Sequence, residues 1–88
     1  MTNREHAVFA ISVAAELAGT AIQNLRVYER RGLVAPQRTT GGTRRYSQAD
    51  IDRLRRITEL LASGLNLAGV ELVLDLEAEN AALRALLD

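Results

Sequence analysis

Hydrophobic residues recur along the chain at helical spacing in short stretches that end at glycine, which predicts several short helices. We expect the first helix over residues 12–18, with Ser12 as its N-cap. Its apolar stripe is expected to be Val13, Ala14 and Leu17. Gly19 is expected to end this helix, because glycine adopts the left-handed backbone that follows many helix ends.

A second helix is expected from Ala21 to about Arg31, with Thr20 as its N-cap. Gly32 stands where a glycine commonly follows the end of a helix. The residues expected to face the core are Ile22, Leu25 and Tyr28. Two short helices joined by a tight turn that contains glycine are typical of a helix-turn-helix.

A polar hairpin rich in arginine follows these helices. The residue before Pro36 is expected to be extended, because proline disfavours a helical backbone at that position. Gly41 and Gly42 lie between threonine-rich flanks, a pattern typical of a hairpin turn. Such a hairpin buries little but suits a phosphate backbone. The pattern therefore predicts a winged helix-turn-helix, mostly α with a small β-hairpin wing.

Two more helices are expected after the wing. Ser47 and Asp50 have the spacing of a capping box at the start of the third helix. Its apolar stripe is Ile51, Leu54, Ile57, Leu60 and Leu61. Asn66 is expected to cap a fourth helix that runs towards Asp88, either unbroken or with a kink near Asp75.

The fourth helix carries apolar residues at heptad spacing. Positions spaced 3, 4, 3 and 4 apart are Val73, Leu76, Asn80, Leu83 and Leu87. A terminal helix this apolar predicts dimerisation. Asn80 at an a position favours a parallel pair, although two heptads leave the orientation open. We thus expect a flexible tail over residues 1–8, a winged helix-turn-helix over 9–65 and a dimerisation helix over 66–88.

Charge is strongly segregated within a chain of zero net charge. Residues 26–56 hold nine arginines and three acids, a net charge of +6, whereas residues 57–88 have a net charge of −5. A basic middle predicts a surface that binds a polyanion. All the basic residues are arginines, which bind phosphate and guanine bidentately. A codon preference for arginine would also explain that choice, but not the clustering.

Several function classes are excluded by composition. The chain has no cysteine, so it can form neither disulfides nor zinc–thiolate sites. Residues 1–8 are polar and unlike a signal peptide, and no apolar run reaches the roughly 20 residues that span a bilayer. We find no catalytic triad, paired carboxylates or phosphate loop, and His6 has no metal-ligand partners. The chain is expected to be a soluble cytoplasmic protein, not an enzyme, with no cofactor and no metal.

Three segments, Ile11–Gly19, Gln23–Arg38 and Gly42–Asp50, resemble the MerR family of transcription regulators. The family pattern is Leu-Arg-x-Tyr-Glu/Asp-x-x-Gly-Leu-x-x-Pro-x-Arg followed by Gly-x-Arg-x-Tyr-Ser/Thr-x-x-Asp, and this chain has both in order. The resemblance extends from about Phe9 to Leu74. The first segment, the Gly-Gly-Thr-Arg-Arg-Tyr-Ser run and residues 66–70 are most similar to the heat-shock repressor subgroup.

The resemblance implies a bacterial, nucleoid-associated regulator that binds an inverted-repeat operator as a homodimer of antiparallel helices. Family members distort the promoter, whereas heat-shock-type members repress by occupancy, and we expect a repressor. Metal-sensing members carry cysteines and drug-sensing members a large C-terminal effector domain, neither of which is found here. That leaves a small regulator without its own effector domain, or a piece of a longer one. A protein co-regulator is a candidate further partner.

The second helix should enter the major groove of double-stranded DNA. Gln23 and Asn24 are the candidates for base edges, because amides bond adenine bidentately. Thr20 is placed for a phosphate, and Arg26 for a phosphate or a guanine. The resemblance places Arg26 and Tyr28 at the DNA surface. Tyr28 could equally be a residue at the edge of the core.

The wing supplies Arg38, Arg44 and Arg45 as candidates for backbone or minor-groove contacts. Arg44 and Arg45 point to opposite faces of a strand, and Arg44 matches the family position for direct contact. Tyr46 is expected to pack at the base of the wing. The third helix carries Arg53, Arg55 and Arg56. A solvated, salt-bridged helix face and contact with DNA remain equal alternatives for these arginines.

Two other functions fit the same sequence. An excisionase-like architectural protein shares this fold and would bind DNA cooperatively without a strict dimer. A protein–protein adaptor would use the terminal helix to capture a partner, with an incidental arginine cluster. Affinity for duplex DNA that falls steeply with salt separates the adaptor from the DNA-binding alternatives.

Overall fold

Four helices and one two-stranded antiparallel hairpin make up the computed structural model, which describes residues 3–88. The helices are α1 (Ile11–Ala18), α2 (Ile22–Arg30), α3 (Gln48–Ala62) and α4 (Leu67–Leu87), and the strands are β1 (Gln37–Arg38) and β2 (Arg44–Arg45). The mostly helical fold with a small hairpin wing is confirmed. α4 is one continuous helix, without a break near Asp75.

The chain divides into two compact units within α3. Unit 1 ends at Thr58, and unit 2 is Glu59–Asp88. The division also separates the charges, since residues 1–58 have a net charge of +5 and residues 59–88 of −5. The basic surface therefore belongs to the helix-turn-helix and wing.

Side-chain caps fix the starts of α3 and α4 as the sequence predicts. The Ser47 backbone N–H donates to Asp50 Oδ2 at 2.9 Å, and the Asp50 N–H donates to Ser47 Oγ at 3.0 Å. This reciprocal pair is a capping box, which satisfies two N–H groups at the helix start. Asn66 Oδ1 accepts from the Gly69 N–H at 2.9 Å and caps α4.

The predicted caps of α1 and α2 are wrong. α1 begins at Ile11 behind Ala10, so Ser12 lies inside the helix, and α2 begins behind Ala21 rather than Thr20. The first helical bonds of α2 are accepted by the Ala21 carbonyl, from the Asn24 N–H at 3.0 Å and the Leu25 N–H at 3.4 Å. Ala21 therefore occupies the N-cap position, and Thr20 lies one residue ahead of it. Neither N-terminus has a side-chain cap.

Small side chains form the contact surface of α1. The buried residues are Ala14, Ala15 and Ala18, whereas Val13 and Leu17 of the predicted stripe are exposed. Ile22 is also exposed rather than inward-facing. The remaining core of unit 1 comes from α2, the loop after it, β2 and α3. Its fully or nearly fully buried residues are Leu25, Tyr28, Leu33, Val34, Tyr46, Ile51, Leu54 and Ile57.

The segment ahead of α1, where a flexible tail was predicted, is hydrogen-bonded to the wing and to α3 in its described part. Phe9 forms a bridge with Tyr46, with N–H···O distances of 2.9 and 2.8 Å. The Arg4 carbonyl accepts from the Ala49 N–H at 3.0 Å in the first turn of α3, and the Arg4 side chain pairs with Asp52. Residues 3–9 therefore form a strap across the wing base; Met1 and Thr2 of the predicted tail lie outside the described residues.

Tyr46 packs at the base of the wing, as predicted, and is fully buried. Among the described residues its hydroxyl is the one buried side-chain polar atom without a hydrogen-bond partner. Burial raises the pKa of Tyr46, so the phenol remains neutral.

We expect Tyr46→Phe to raise the free energy of unfolding by about 1 kcal/mol, because it removes an unsatisfied buried hydroxyl while keeping the ring. Urea denaturation at fixed protein concentration measures this. Tyr28→Phe is the matched control, because its hydroxyl is not a buried group lacking a partner. A loss of stability in Tyr46→Phe alone would show that the hydroxyl makes a stabilising bond.

Candidate nucleic-acid interface

The solvent-facing edge of α2 carries the polar residues predicted to read DNA. Gln23, Asn24 and Arg26 are exposed. The Asn24 side-chain amide donates to Thr20 Oγ1 at 2.8 Å, which restrains the amide, while its carbonyl oxygen can accept from another donor. Because the N-terminus of α2 has no side-chain cap, its first backbone N–H groups are available to an anion.

Tyr28 lies in the core, with 4% of its surface exposed. It follows Leu25 by three positions, so the two side chains share the inner face of α2. The structure thus favours the packing alternative for Tyr28 over the contact implied by the family resemblance.

α2 ends in a hydrogen-bonded turn that directs the chain towards the wing. Gly32 has a φ of 75°, and the Leu33 N–H donates to the Tyr28 carbonyl at 2.9 Å. This is the left-handed glycine termination that the sequence predicts. It places the last turn of α2, with Glu29, next to the two strands that follow.

The wing is a minimal hairpin with two residue pairs, Gln37 with Arg45 and Arg38 with Arg44. Its turn is closed by the Thr39 N–H, which donates to the Thr43 carbonyl at 2.9 Å. Gly42 in the turn has a φ of 83°, a conformation that strains any residue with a β-carbon. Two pairs are too few to hold a hairpin by themselves.

Glu29 joins the wing to α2. Its Oε2 lies 3.0 Å from Arg38 Nη2, and its Oε1 accepts from Arg44 Nε. Arg38 Nη1 also donates to the Gly42 carbonyl at 3.0 Å. We call Glu29, Arg38 and Arg44 the wing cluster. Sequence reasoning missed Glu29, although it is the sole acid between Arg26 and Ala49.

Arg45 lies on the other side of β2 from the wing cluster, as alternation along a strand requires. Its Nη1 donates to the Arg44 carbonyl at 3.3 Å. Arg44 is the one held by a carboxylate.

Glu29 is held in its ionised form by its two arginines. Burial raises the pKa of Glu29, but the hydrogen bond from Arg44 and the charges of Arg44 and Arg38 outweigh it, so the pKa lies below its ordinary value of 4.5. The hydrogen bond to Glu29 in turn raises the pKa of Arg44. At neutral pH the cluster carries one negative and two positive charges.

We expect the wing cluster to stabilise the protein above about pH 4.5 and to lose that effect as acid protonates Glu29. A folded-state pKa below the unfolded one means that acid favours unfolding through this group. The stability difference between the native protein and Glu29→Gln should therefore shrink from about pH 7 to about pH 3. Urea titrations at several pH values measure it. A difference independent of pH would contradict this assignment.

Two arginines of α3 bind backbone carbonyls of the helix-turn-helix. Arg55 Nε donates to the Leu17 carbonyl at 3.1 Å, near the C-terminus of α1 where carbonyls lack helical partners. Arg53 Nε donates to the Leu33 carbonyl after α2. Both guanidinium groups therefore have an architectural role, in addition to the positive charge they contribute. Arg56 is half-buried.

The predicted dimerisation residues lie on α4 in unit 2. Leu76 and Leu83 are each 62% exposed and Leu87 is 86% exposed, while Val73 is half-buried. Asn80 is exposed. Leu72, which the heptad omits, is 66% exposed and shares the leucine face. Within unit 2, Val70 and Leu74 are buried and occupy the opposite face of the helix.

Neither a metal nor a membrane site emerges from residues 3–88. That part of the chain contains no group of three His, Asp or Glu side chains placed to hold a metal ion. Within the same residues, none of the helices combines the length and hydropathy needed to cross a bilayer.

Known proteins with similar sequences are transcription regulators. The chain is 49% identical over 79 residues to a Streptomyces coelicolor protein named as the heat shock protein HspR, covering 89% of this chain and 52% of that protein. It is 37% identical over 75 residues to the regulator TnrA of Bacillus subtilis, covering 80% and 68%. The chain thus spans about half the length of the HspR relative.

Solved structures show the same fold. HiNmlR, described as a MerR family regulator lacking the sensor domain and bound to promoter DNA, has a TM-score of 0.72 at 25% identity, covering 80% of this chain and 54% of that one. The regulator PbrR691 of Ralstonia metallidurans CH34, solved with lead(II), has a TM-score of 0.75 at 27% identity, covering 92% and 67%.

The family model described as MerR HTH family regulatory protein matches residues 9–77. That range takes in the helix-turn-helix, the wing with its cluster and the first half of α4. The resemblance of the motifs, the shared fold and the curated relatives all agree. The chain belongs to the MerR family of helix-turn-helix regulatory proteins, a family of DNA-binding transcription regulators rather than enzymes.

Proposed function

We propose that the protein binds an inverted-repeat DNA operator as a homodimer and represses transcription by occupying it. The observation that carries the proposal is the exposed edge of α2 within a helix-turn-helix whose wing presents arginines. Such a protein would act on DNA in the bacterial cytoplasm. Repression is favoured by the resemblance of the motifs to the heat-shock repressor subgroup, and the similarity to the heat shock protein HspR agrees with that subgroup.

In this proposal α2 lies in the major groove. Gln23 and Asn24 face base edges, where amides pair with adenine, and Arg26 reaches a guanine or a phosphate. Thr20 and the uncapped N–H groups of α2 lie against the phosphate backbone. Arg38, Arg44 and Arg45 contact the backbone on the flank. HiNmlR, solved on promoter DNA, supports this mode of binding by its similar fold.

The proposed dimer pairs two copies of α4 through the exposed leucine face. Each buried leucine contributes about 1.5–3 kcal/mol, so Leu72, Leu76, Leu83 and Leu87 from two copies supply a strong driving force. A two-fold dimer then matches two half-sites in inverted orientation.

Selection of bound duplexes from a random pool tests the proposal, because it returns half-site sequence, spacing and symmetry together. We expect an inverted repeat, a steep loss of affinity with salt and a dimer by sedimentation. Absence of any duplex affinity at low salt would overturn DNA binding. A monomer at tens of micromolar, with cooperative binding, would instead indicate the excisionase-like alternative.

A further inference from the structure

The wing cluster places two like charges side by side and then neutralises one of them. Arg38 and Arg44 are directly paired across β1 and β2, so their side chains emerge on the same face. Like charges at paired positions repel each other and destabilise a hairpin. Glu29 lies between the two guanidinium groups and removes that repulsion.

The same carboxylate couples the wing to α2. Its contacts reach one arginine on each strand, and Arg38 continues to the Gly42 carbonyl at the turn. A ladder of two pairs supplies little rigidity by itself. Glu29, in the last turn of α2, is therefore the side chain that ties both strands of the wing to that helix, whereas the strap and Tyr46 hold the wing base.

Free arginines bind phosphates on any DNA sequence, because that contact reads charge alone. Arginines already held by a carboxylate have fewer free donors and a fixed position. They can meet phosphates fully only where α2 is itself seated in a matching groove. Positioned arginines therefore contribute more to operator binding than to binding elsewhere.

We propose that Glu29 is a specificity-determining positioning residue, which restrains Arg38 and Arg44 from sequence-independent phosphate binding and ties their contacts to the seating of α2. The inference rests on the proposed DNA-binding function. It assigns Glu29 a role in DNA discrimination although an acidic residue cannot itself bind phosphate favourably. The two arginines lower the pKa of Glu29 below its ordinary value, so its carboxylate stays ionised. An ionised carboxylate agrees with that role.

Glu29→Gln tests the inference, because glutamine keeps the size and one acceptor but loses the charge. Affinity is measured for the duplex selected by the native protein and for a scrambled duplex of the same length and composition, over a range of salt. We expect affinity for the scrambled duplex to rise by about 3- to 10-fold. The slope of log affinity against log salt concentration for this duplex should become steeper by about 0.9, which corresponds to one further phosphate contact.

Affinity for the selected duplex is expected to change less than affinity for the scrambled one, so that the ratio of the two falls at least about threefold. Glu16→Gln is the matched control: Glu16 is an exposed acid on α1 with no ion pair among the described residues. It makes the same change in net charge and should shift both duplexes equally. An unchanged ratio in Glu29→Gln, or a fall equal to that of Glu16→Gln, would overturn the inference.

Glu29→Asp keeps the test open if Glu29→Gln does not fold, as judged by circular dichroism. Aspartate retains the charge but is too short to span both guanidinium groups, so we expect an intermediate loss of discrimination. Full discrimination in a folded Glu29→Asp protein would count against the inference. If the native protein selects no duplex at all, the proposed function itself fails, which is a different result from an unchanged ratio.

Discussion

Replacing Leu76 and Leu83 together by aspartate is expected to convert the protein to monomers and to lower its affinity for an inverted-repeat duplex by at least about 100-fold. Both leucines are 62% exposed in the single chain, so their replacement removes little packing from a folded unit. In a dimer they would meet their counterparts across the two-fold axis. Four carboxylates brought together there would repel.

The size of the effect follows from bivalency. A dimer on an inverted repeat gains about 10²–10⁴ in affinity over a single half-site, because the second contact is made within one complex. Sedimentation and duplex titration measure the two consequences separately. Affinity for an isolated half-site should be nearly unchanged, since the substituted residues lie outside the helix-turn-helix.

Ala82→Asp is the matched control for these substitutions. It introduces one negative charge on α4, half of what the double replacement adds, next to the acidic row formed by Glu71, Asp75 and Glu79 rather than on the leucine face. We expect it to remain dimeric. A dimeric double mutant with unchanged operator affinity would disprove the proposed role of α4.

Leu54→Ala is expected to lower the free energy of unfolding by about 2–5 kcal/mol. Leu54 is fully buried in the part of α3 that belongs to unit 1, so its truncation leaves a cavity. Small domains have a total stability of about 5–15 kcal/mol, of which this loss is a large share. The variant should therefore be partly unfolded at temperatures where the native protein is folded.

Leu17→Ala is the control for Leu54→Ala, because Leu17 is 39% exposed and its carbonyl contact with Arg55 does not involve the side chain. We expect a change within about 0.5 kcal/mol. Denaturation must be followed at fixed protein concentration, since association of the proposed dimer adds to apparent stability. Equal losses in the two variants would mean that burial in unit 1 does not determine its stability.

Local chemistry made the starts of α3 and α4 predictable from sequence. Ser47 and Asp50 together cap α3, and Asn66 caps α4. These side chains bind N–H groups only three residues away, so their spacing in the sequence identifies them. The caps of α1 and α2 were mispredicted because the first helical bonds are accepted by the carbonyls of Ala10 and Ala21, alanines whose side chains give no capping signal in the sequence.

Tertiary contacts account for what sequence patterns missed. Hydrophobicity pointed to Val13 and Leu17 as the buried face of α1, whereas close helix packing selects the smaller Ala15 and Ala18. The part of the strap ahead of Phe9 is invisible to periodicity, because it is held by backbone bonds such as that from the Ala49 N–H to the Arg4 carbonyl. Charge clustering located the wing arginines, but only the three-dimensional register shows that Arg38 and Arg44 share one acid.

The alanines of α1 have a consequence for the way the protein adapts to DNA. α1 and α2 pack against each other, and the buried residues of α1 are Ala14, Ala15 and Ala18, which have no rotamers to exchange. On its side of this contact, α1 has no χ angles to switch and no side-chain entropy to lose on binding. The helix-turn-helix is therefore preorganised. Any conformational adjustment between protein and operator must come from the DNA or from the wing.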